Sequence, residues 1–367
     1  MLVLKKERPG FGLTLDEAAE APPPAAGEVT VRVEAAGICG SDVHAYEWTD
    51  GYDFMTRHMP VTLGHEFAGR IAAVGAAVGA AVGAAVGAAV GTAVGGAAGA
   101  GAELAEGTAV TVMPALACGT CAACRRGDAR NCTARGAIGL TRAGGFARYV
   151  TVPAANCLPL PAGVDTEIGA LAEPLGVSAQ AVLVGEVGLG DTVLVMGPGT
   201  IGQGAALFAR AAGASTVLVS GRADQPRFDV CRALGFDALL DVAEAPLAEL
   251  VRAATGGRPV DVVIEATGYP PAILDGLAVL KKGGVLVVAG IHPGPVSLPL
   301  TDFVRARQQL RATHGCDRAT WDTVLTVMGQ APERFRPMIT HRLPLARGLE
   351  GFELARQRAA SKVMLQP

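Results

Sequence analysis

Two hydrophobic patterns divide the chain, and the first covers its N-terminal part. Around Val29–Val33 and again over residues 145–160, apolar and polar side chains alternate, as they do in a strand with one buried face. The chain opens on a short apolar stretch that predicts a first strand. The run Ala21-Pro-Pro-Pro24 interrupts the pattern, because consecutive prolines cannot continue a strand or a helix. We therefore predict a β-rich N-terminal domain with exposed turns.

The second pattern, in the later part of the chain, alternates short continuous apolar runs with helical segments. Thr192–Met196 has the pattern of a buried strand, a helix is predicted from Gln203 to Ala212, and Thr216–Val219 is the next strand. Further apolar runs follow at Asp261–Ile264 and Gly284–Gly290. Strands that alternate with helices indicate a doubly wound parallel sheet, so we predict an α/β fold.

A low-complexity segment lies between two predicted strands, Phe67–Val74 and Thr108–Met113. From Ala72 the sequence repeats Ala-Ala-Val-Gly and ends in a Gly/Ala tail at Ala102. A membrane helix packed through small residues is one interpretation, but Leu, Ile and Phe are absent and a span would divide the β-rich domain. We favour a low-complexity insertion in a surface loop over residues 76–102, since loop-closure entropy grows slowly with length.

Length, charge and cysteine count restrict the partners and the location. A chain of 367 residues exceeds the usual size of one hydrophobic core, so two domains are expected. The net charge of -3 gives no reason to expect nucleic acid or an anionic membrane as partner. The first residues lack the order of a signal peptide, and eight cysteines in this length are not a disulfide framework. We therefore predict a cytoplasmic protein.

Side chains that bind metals are concentrated in one short segment. Cys39, His65 and Glu66 form a sulfur, nitrogen and oxygen set that suits a borderline-soft ion such as Zn²⁺. Ser41 and His44 lie close to Cys39 in the sequence. A catalytic zinc typically takes three protein ligands and keeps a fourth position open. A buried apolar thiol or a core histidine would explain Cys39 or His65 alone, but not the whole constellation.

Four further thiols follow, the first three at intervals of three residues: Cys118, Cys121, Cys124 and Cys132. They fit a closed tetrahedral Cys₄ zinc site, whose role is structural because no coordination position stays open. An iron–sulfur cluster uses similar steps but usually ends in Cys-Pro, whereas Thr133 follows the last cysteine here. We predict a structural zinc that fixes the loop 118–132.

A glycine-rich turn follows the first strand of the second domain. Gly197, Gly199 and Gly202, with Thr200 and Ile201 between them, form the pattern Gly-x-Gly-x-x-Gly at the start of a helix. Such a turn lets backbone N–H groups approach a pyrophosphate, and the helix N-terminus adds positive charge. In the order strand, turn, helix, strand it predicts a dinucleotide site.

The end of the following strand indicates which dinucleotide is bound. NAD sites usually place an acid there for the ribose 2′-hydroxyl, but this chain has Ser220, Gly221 and Arg222. A guanidinium can bind a 2′-phosphate bidentately, so we favour NADP over NAD, with Ser220, Arg222 and Arg227 as candidate contacts. The nearby Asp224, or an Arg222 that points into solvent, would favour NAD.

These motifs together resemble the zinc-dependent medium-chain alcohol dehydrogenases. That family has a Cys, then Ser or Thr two residues later and His five residues later, followed by Gly-His-Glu, as in Cys39–His44 and Gly64–Glu66. The resemblance covers essentially the whole chain apart from the repeat. It implies a GroES-like catalytic domain over residues 1–175 and 300–367, a Rossmann domain over residues 176–299, and a cleft between them.

Two other segments point to one branch of this family. Glu173 stands where the sorbitol-dehydrogenase-like branch has a carboxylate facing the catalytic metal, and the stretches around 44–48 and 338–341 resemble L-threonine dehydrogenase-like members. The resemblance implies a catalytic zinc held by these four side chains: Cys39, His65, Glu66 and Glu173. Either glutamate binds the metal directly or approaches it through water. The resemblance also implies that Ser41 and His44 carry the hydroxyl proton of the substrate outward.

The implied function is reversible oxidation of a secondary alcohol to a ketone by hydride transfer to NAD(P), with one catalytic and one structural zinc. A polyol or sugar alcohol is the first candidate for the small-molecule substrate, and a 3-hydroxy amino acid such as threonine is the second. A homo-oligomer, tetramer or dimer, is expected by analogy. The alternative from another class is a non-enzymatic nucleotide-binding protein, like the quinone-reductase-like crystallins, although such relatives usually lack the Cys-His-Glu set.

Overall fold

The chain forms two units, each with its own set of sheets. The computed structural model describes residues 1–78 and 104–367, so most of the Ala/Val/Gly repeat, and with it the predicted insertion, lies outside the described residues. Unit 1 comprises Met1–Glu173 and Trp321–Pro367, and unit 2 comprises Pro174–Thr320. None of the helices within the described ranges is long and apolar enough to cross a membrane.

Unit 1 is rich in β-structure, as the alternating pattern predicts. Its described strands are β1 (Leu2–Lys6), β2 (Thr14–Glu17), β3 (Glu28–Gly37), β4 (Val61–Thr62), β5 (Glu66–Val74), β6 (Ala109–Val112), β7 (Ala115–Leu116), β8 (Gly136–Ala137), β9 (Tyr149–Pro153), β10 (Cys157–Pro159), β17 (Ile339–Pro344) and β18 (Lys362–Gln366). The main sheet has the order β10-β6-β5-β3-β18-β17, with β9 also paired to β3; β2-β1-β4 and β7-β8 form smaller sheets.

The helices of unit 1 are short. They are α1 (Gly40–Glu47), α2 (Ala122–Arg125), α3 (Thr166–Gly169) and α11 (Gly348–Arg356), with 3₁₀ turns at Asp53–His58, Ala129–Asn131, Ala154–Asn156, Pro332–Met338 and Leu345–Arg347. Helix α4 (Ala172–Val184) begins at the end of the first stretch of unit 1, and α10 (Arg318–Gln330) runs into its second stretch.

Strand β3 organises the main sheet of unit 1. Val29, Val31 and Val33 are buried while Arg32 is exposed, so the alternation seen in the sequence corresponds to one buried face. β3 pairs antiparallel with β5, with β9 and with β18. Its last residue, Gly37, therefore lies opposite Glu66, the first residue of β5, and opposite Met364, in the middle of β18.

Unit 2 is a six-stranded parallel sheet with helices. Its strands are β11 (Thr192–Met196), β12 (Thr216–Gly221), β13 (Leu239–Asp241), β14 (Val260–Glu265), β15 (Leu280–Val288) and β16 (Gln309–Ala312), in the order β13-β12-β11-β14-β15-β16. Its helices are α5 (Thr200–Ala211), α6 (Gln225–Ala233), α7 (Leu247–Thr255), α8 (Pro270–Val279) and α9 (Leu300–Ala306), together with most of α4. This is the doubly wound order 3-2-1-4-5-6, and all residues of β11 are buried.

The second unit extends further toward the C-terminus than the predicted range of 176–299. Strand β16 pairs parallel with β15 and completes the edge of the sheet. Residues 300–320 therefore lie in unit 2, whereas the resemblance placed them in the catalytic domain. β16 is short and mostly exposed, so its sequence lacks the continuous apolar run that marks the other strands.

Candidate active site and metal centres

Cys39 lies between strand β3 and helix α1. It is the N-cap residue of α1 and has an extended backbone. Its N–H donates to Oδ2 of Asp42 at 3.0 Å. This bond ties the cap to the first turn of the helix, where backbone N–H groups lack intrahelical partners. The position of the Cys39 thiol is thus fixed by the end of a strand and the start of a helix.

His65 and Glu66 reach the same place from the neighbouring strand. Glu66 is the first residue of β5 and pairs with Gly37 at the end of β3. The Cys39 sulfur, a His65 ring nitrogen and a Glu66 carboxylate oxygen all lie within 4.8 Å of one another. A Cβ at position 37 would overlap the Glu66 carboxylate, so this close approach requires glycine. The structure brings together three of the four predicted ligands, and their donor set fits Zn²⁺.

The Glu66 carboxylate is buried, with a partner for one oxygen. The Lys362 ammonium, from the start of β18, lies 2.5 Å from Oε2 of Glu66 and also donates to the carbonyl of Ile38 at 2.9 Å. Oε1 is buried without a hydrogen-bond partner among the described residues. A buried acceptor without a partner costs free energy. Oε1 is therefore suited to bind a cation.

The two ring nitrogens of His65 face different groups. Nδ1 lies 3.3 Å from Oδ1 of the fully buried Asp42, and Nε2 lies 3.2 Å from Oγ of Ser41. Burial lowers the pKa of His65, but the charges of Asp42 and Cys39 outweigh it and raise that pKa well above its usual value. A carboxylate behind Nδ1 keeps the proton there and leaves Nε2 for a metal.

Glu173 lies near this cluster but outside its tightest group. It is in the first turn of α4 and is half-buried, and the three side chains within 4.8 Å of one another do not include it. Burial raises the pKa of Glu173 to about 7, while His65 lowers it and Glu66 raises it further. Glu173 is thus a more distant carboxylate within electrostatic reach of the cluster.

His44 and Tyr52 lie next to each other, and Tyr52 contacts Ser41. His44 Nδ1 shares a hydrogen bond with the Thr49 hydroxyl at 3.0 Å, and its ring stacks on that of Tyr52 with centroids 5.8 Å apart. Burial raises the pKa of Tyr52, and a hydrogen bond with Ser41 partly opposes this shift. Ser41 therefore lies within hydrogen-bond reach of both His65 and Tyr52.

The thiols of the loop 118–132 form a second cluster. Their four sulfur atoms lie within 4.8 Å of one another. The N–H groups of Cys121 and Cys124 donate to the sulfurs of Cys118 and Cys121 at 3.3 and 3.4 Å, and that of Cys118 donates to the sulfur of Cys132 at 3.3 Å. Backbone hydrogen bonds lower the pKa of Cys118 to about 7 and that of Cys121 to about 5. Donors that favour thiolates match the needs of a Cys₄ metal site.

In unit 2, the turn between β11 and α5 requires glycine at two positions. Gly197 has a φ of +104°, which favours glycine, and a Cβ at Gly202 would overlap the Gly197 carbonyl oxygen. Gly199 is the N-cap of α5, and Thr200 and Ile201 are in its first turn. Helix α5 therefore begins at this turn, and the N-terminus of a helix favours a phosphate.

Two arginines lie near this turn. Ser220 is buried in β12, and Arg222 is exposed directly after the strand. Arg227, on α6, pairs with Asp224 at 3.3 Å. Its Nη1 is 4.0 Å from the position that a Cβ would take at Gly199. A guanidinium thus lies close to the glycine turn, and a second one follows the strand that carries Ser220.

Comparison with known proteins places the chain in a family. Residues 25–97 and 89–162 match the alcohol dehydrogenase GroES-like domain, and residues 200–330 match the zinc-binding dehydrogenases. The L-threonine 3-dehydrogenase of Bacillus subtilis is 32% identical over 369 residues, covering 100% of this chain and 99% of the relative. The sorbitol dehydrogenase of Halalkalibacterium halodurans is 30% identical over 368 residues, covering 100% and 99%. The chain belongs to the zinc-dependent medium-chain alcohol dehydrogenases.

A solved structure of a Sinorhizobium meliloti protein bound to NADP has the same fold. Its TM-score is 0.83 at 26% identity, and the match covers 100% of this dehydrogenase and 99% of that chain. The predicted combination of a GroES-like domain and a parallel-sheet Rossmann domain is confirmed. So is the prediction of an NAD(P)-dependent zinc alcohol dehydrogenase. The non-enzymatic alternative is not supported.

Three residues at the site of this dehydrogenase were missed from the sequence. Asp42 lies within the motif Cys39–His44, and its carboxylate is the partner of His65. An acidic residue inside that motif is the sequence signal that could have identified it. Tyr52 lies directly before the 3₁₀ turn Asp53–His58, and no sequence motif marks it. Lys362 is far from Glu66 in the sequence. The one signal that marks it is its place as a charged residue at the start of a strongly apolar strand.

Proposed function

We propose that this dehydrogenase oxidises a secondary hydroxyl group of a polyol or sugar alcohol, with NADP favoured over NAD. The observation that carries this proposal is the Cys39–His65–Glu66 cluster within 4.8 Å, in a unit that holds a separate Cys₄ cluster. Because the Cys₄ set can take the structural role, the mixed cluster is available for catalysis.

Cys39, His65 and Glu66 would hold the catalytic zinc, with Glu173 as the fourth candidate ligand of the site. When bound, this ion supplies a Lewis acid that lowers the pKa of a coordinated hydroxyl group. Asp42 orients His65 through Nδ1, and Lys362 holds Oε2 of Glu66 while Oε1 remains free of other partners. Glu173 lies outside the group within 4.8 Å. This supports a contact with the zinc through water, or a direct contact in which Glu173 alternates with solvent.

Ser41 and His44 would move the proton of the substrate hydroxyl. The Ser41 hydroxyl is in hydrogen-bond reach of Nε2 of His65 at 3.2 Å, so it lies at the edge of the metal cluster. His44 follows one turn later on α1 and is oriented by Thr49. An imidazole is suited to exchange a proton with solvent near neutral pH. Tyr52, next to both, would orient the Ser41 hydroxyl.

The loop 118–132 would hold the structural zinc through these four thiolates: Cys118, Cys121, Cys124 and Cys132. The N–H donors to sulfur support this assignment. The loop contains only the short helix α2 and one 3₁₀ turn, so metal ligation would supply folding free energy that burial does not.

In unit 2, the dinucleotide would bind at the glycine turn formed by these residues: Gly197, Gly199, Thr200, Ile201 and Gly202. Ser220, Arg222 and Arg227 would contact the adenosine ribose and its phosphate. The Arg227 guanidinium near the turn supports NADP. The NADP found in the structure of the Sinorhizobium meliloti relative also supports it.

A 3-hydroxy amino acid such as threonine is the second candidate substrate. It is favoured by the 32% identity to the L-threonine 3-dehydrogenase of Bacillus subtilis over the full chain. Both substrate classes carry a secondary hydroxyl next to another polar group.

A panel of polyols, vicinal diols and L-threonine, each assayed with NADP and with NAD, tests this proposal. Formation of reduced cofactor with a polyol or diol, faster with NADP, would support it. Faster turnover of threonine would replace the substrate with the second candidate, and a preference for NAD would refute the cofactor assignment. Ser41→Ala, which removes the first group of the proton path, is the control for turnover at this site.

A further inference from the structure

A second buried carboxylate–imidazole pair lies in unit 2, and the proposed function does not yet use it. Glu265 is the last residue of β14 and is fully buried. Its Oε1 accepts hydrogen bonds from the N–H of Thr267 at 2.6 Å, from the N–H of Gly268 at 3.0 Å and from the Thr267 hydroxyl. Three donors converge on Oε1, so Glu265 acts as an acceptor there.

The other oxygen of Glu265 holds His292. Nε2 of His292 lies 2.8 Å from Oε2 of Glu265, and the His292 side chain is 12% exposed. Because Glu265 is the acceptor, Nε2 is the nitrogen that carries the proton. In the neutral imidazole the other nitrogen, Nδ1, then presents a lone pair.

The Nδ1 atom of His292 is buried and has no hydrogen-bond partner within residues 1–78 and 104–367. A buried polar atom left without a partner destabilises the folded state. The hydrogen bond between Nε2 and Glu265 holds the imidazole ring in this orientation. This arrangement is expected where a ligand supplies the missing partner.

The place of the pair in the sheet indicates which ligand this is. β14 and β15 are strands 4 and 5 of the order 3-2-1-4-5-6. Glu265 is the last residue of β14, and His292 follows the carboxyl end of β15. Ligands of such sheets bind outside the carboxyl ends of the strands. Ser220 and Arg222, at the end of strand 2, mark the adenosine half. The other half of the sheet therefore takes the nicotinamide half of the dinucleotide.

We infer that His292 binds the nicotinamide half of the cofactor, accepting through Nδ1 a hydrogen bond from its carboxamide N–H or a ribose hydroxyl, and that Glu265 is the positioning residue that holds His292. This inference rests on the NAD(P) cofactor of the proposed function and does not depend on the alcohol substrate.

Titration of the purified enzyme with reduced dinucleotide, followed by nicotinamide fluorescence, tests the inference. His292→Gln keeps a donor that can reach Glu265 but has no acceptor at the position of Nδ1. Its Kd for NADPH or NADH, whichever the wild type binds more tightly, should rise about five- to tenfold, as for the loss of one hydrogen bond. The Kd for 2′,5′-ADP or ADP, which occupy the adenosine half alone, should not change.

Three comparisons complete the test. His292→Asn, whose amide oxygen can take the position of Nδ1, should bind the dinucleotide more tightly than His292→Gln. Glu265→Gln should raise the Kd for the dinucleotide but not the Kd for 2′,5′-ADP or ADP. With the acetylpyridine analogue, which lacks the carboxamide N–H, the effect of His292→Gln should disappear if the carboxamide is the donor and persist if a ribose hydroxyl is. His341→Gln, on β17 of unit 1, is the matched control.

Unchanged dinucleotide affinity in His292→Gln would overturn the inference, and so would an equal loss of affinity for the fragments. A wild-type enzyme that binds no dinucleotide would overturn the proposed cofactor as well. A wild-type enzyme that binds dinucleotide but turns over no polyol would contradict the proposed substrate alone.

Discussion

Lys362 and Glu66 form a buried ion pair between residues 296 positions apart in the sequence, with Nζ 2.5 Å from Oε2. The side chains are 3% and 1% exposed. They meet because β18 and β5 both pair with β3, and Gly37, the last residue of β3, is opposite Glu66 and Met364. The C-terminal strand thus contributes directly to the surroundings of the proposed catalytic metal.

Lys362→Met should destabilise unit 1, because it leaves the Glu66 carboxylate buried without its cation. Removing one partner of a buried pair typically costs about 3–5 kcal/mol. Chemical denaturation of the wild type and the variant measures this loss in the free energy of unfolding. The exposed Lys282→Met, in unit 2, is the matched control and should change it little.

A double-mutant cycle with Glu66→Gln separates the pair from general damage. If the pair is the cause, Lys362→Met should cost less in the Glu66→Gln background, with a coupling of about 1–3 kcal/mol. Strictly additive losses would show that Lys362 acts through packing and not through Glu66.

Zinc analysis of two variants should distinguish the two clusters. Cys39→Ser should lower the zinc content from about two to about one per chain and abolish turnover, since a mixed site with three protein ligands loses its sulfur. Cys118→Ser should also remove about one zinc, but its main effect should be a lower melting temperature. Cys157→Ala, a buried cysteine outside both clusters, serves as the control. Full zinc content in Cys39→Ser would refute the catalytic site.

Much of this site could be predicted from the sequence because its ligands are local. Cys39, His65 and Glu66 lie within the single stretch of residues 39–66, and the four thiols lie within residues 118–132. The strand Thr192–Met196 was predicted with its observed bounds, since a continuous apolar run reflects burial on both faces. Such features depend on near neighbours in the chain.

The missed features depend on distant neighbours. Nothing in the residues around Lys362 indicates that β18 lies beside β3, so its contact with Glu66 is invisible before the sheet is assembled. His292 is an isolated histidine with no spacing to interpret, so the sequence alone does not single it out. Its partner, Glu265, comes from the neighbouring strand of the parallel sheet.

Arg222→Asp should shift the cofactor preference toward NAD. The substitution removes a guanidinium that can bind the 2′-phosphate and introduces a carboxylate that repels it. A hydrogen bond to a charged group contributes about 1.5–3 kcal/mol, so the ratio of Kd values for NADPH and NADH should change by about tenfold or more. The exposed Arg252→Asp, on α7, is the control. An unchanged ratio would refute the assignment of NADP to Arg222.

Lys6 should make the stability of unit 1 depend on pH in the alkaline range. Its ammonium is buried and donates to the carbonyls of Gly12 and Tyr46 at 3.0 and 3.4 Å, and to that of Gly10. Burial lowers the pKa of Lys6 from 10.5 to about 8. Between these values the unfolded chain binds more protons than the folded one, so stability rises with pH.

The difference in unfolding free energy between the wild type and Lys6→Met isolates this effect. The penalty for burying the charged lysine is fully present below pH 8 and is relieved as the pH approaches 10.5. The wild type should therefore gain about 1–2 kcal/mol relative to Lys6→Met between pH 8 and pH 10. Urea denaturation at intervals across this range measures the gain, with Lys282→Met as the reference for an exposed lysine. A difference that stays constant, or falls as pH rises, would show that Lys6 keeps an ordinary pKa in the folded protein.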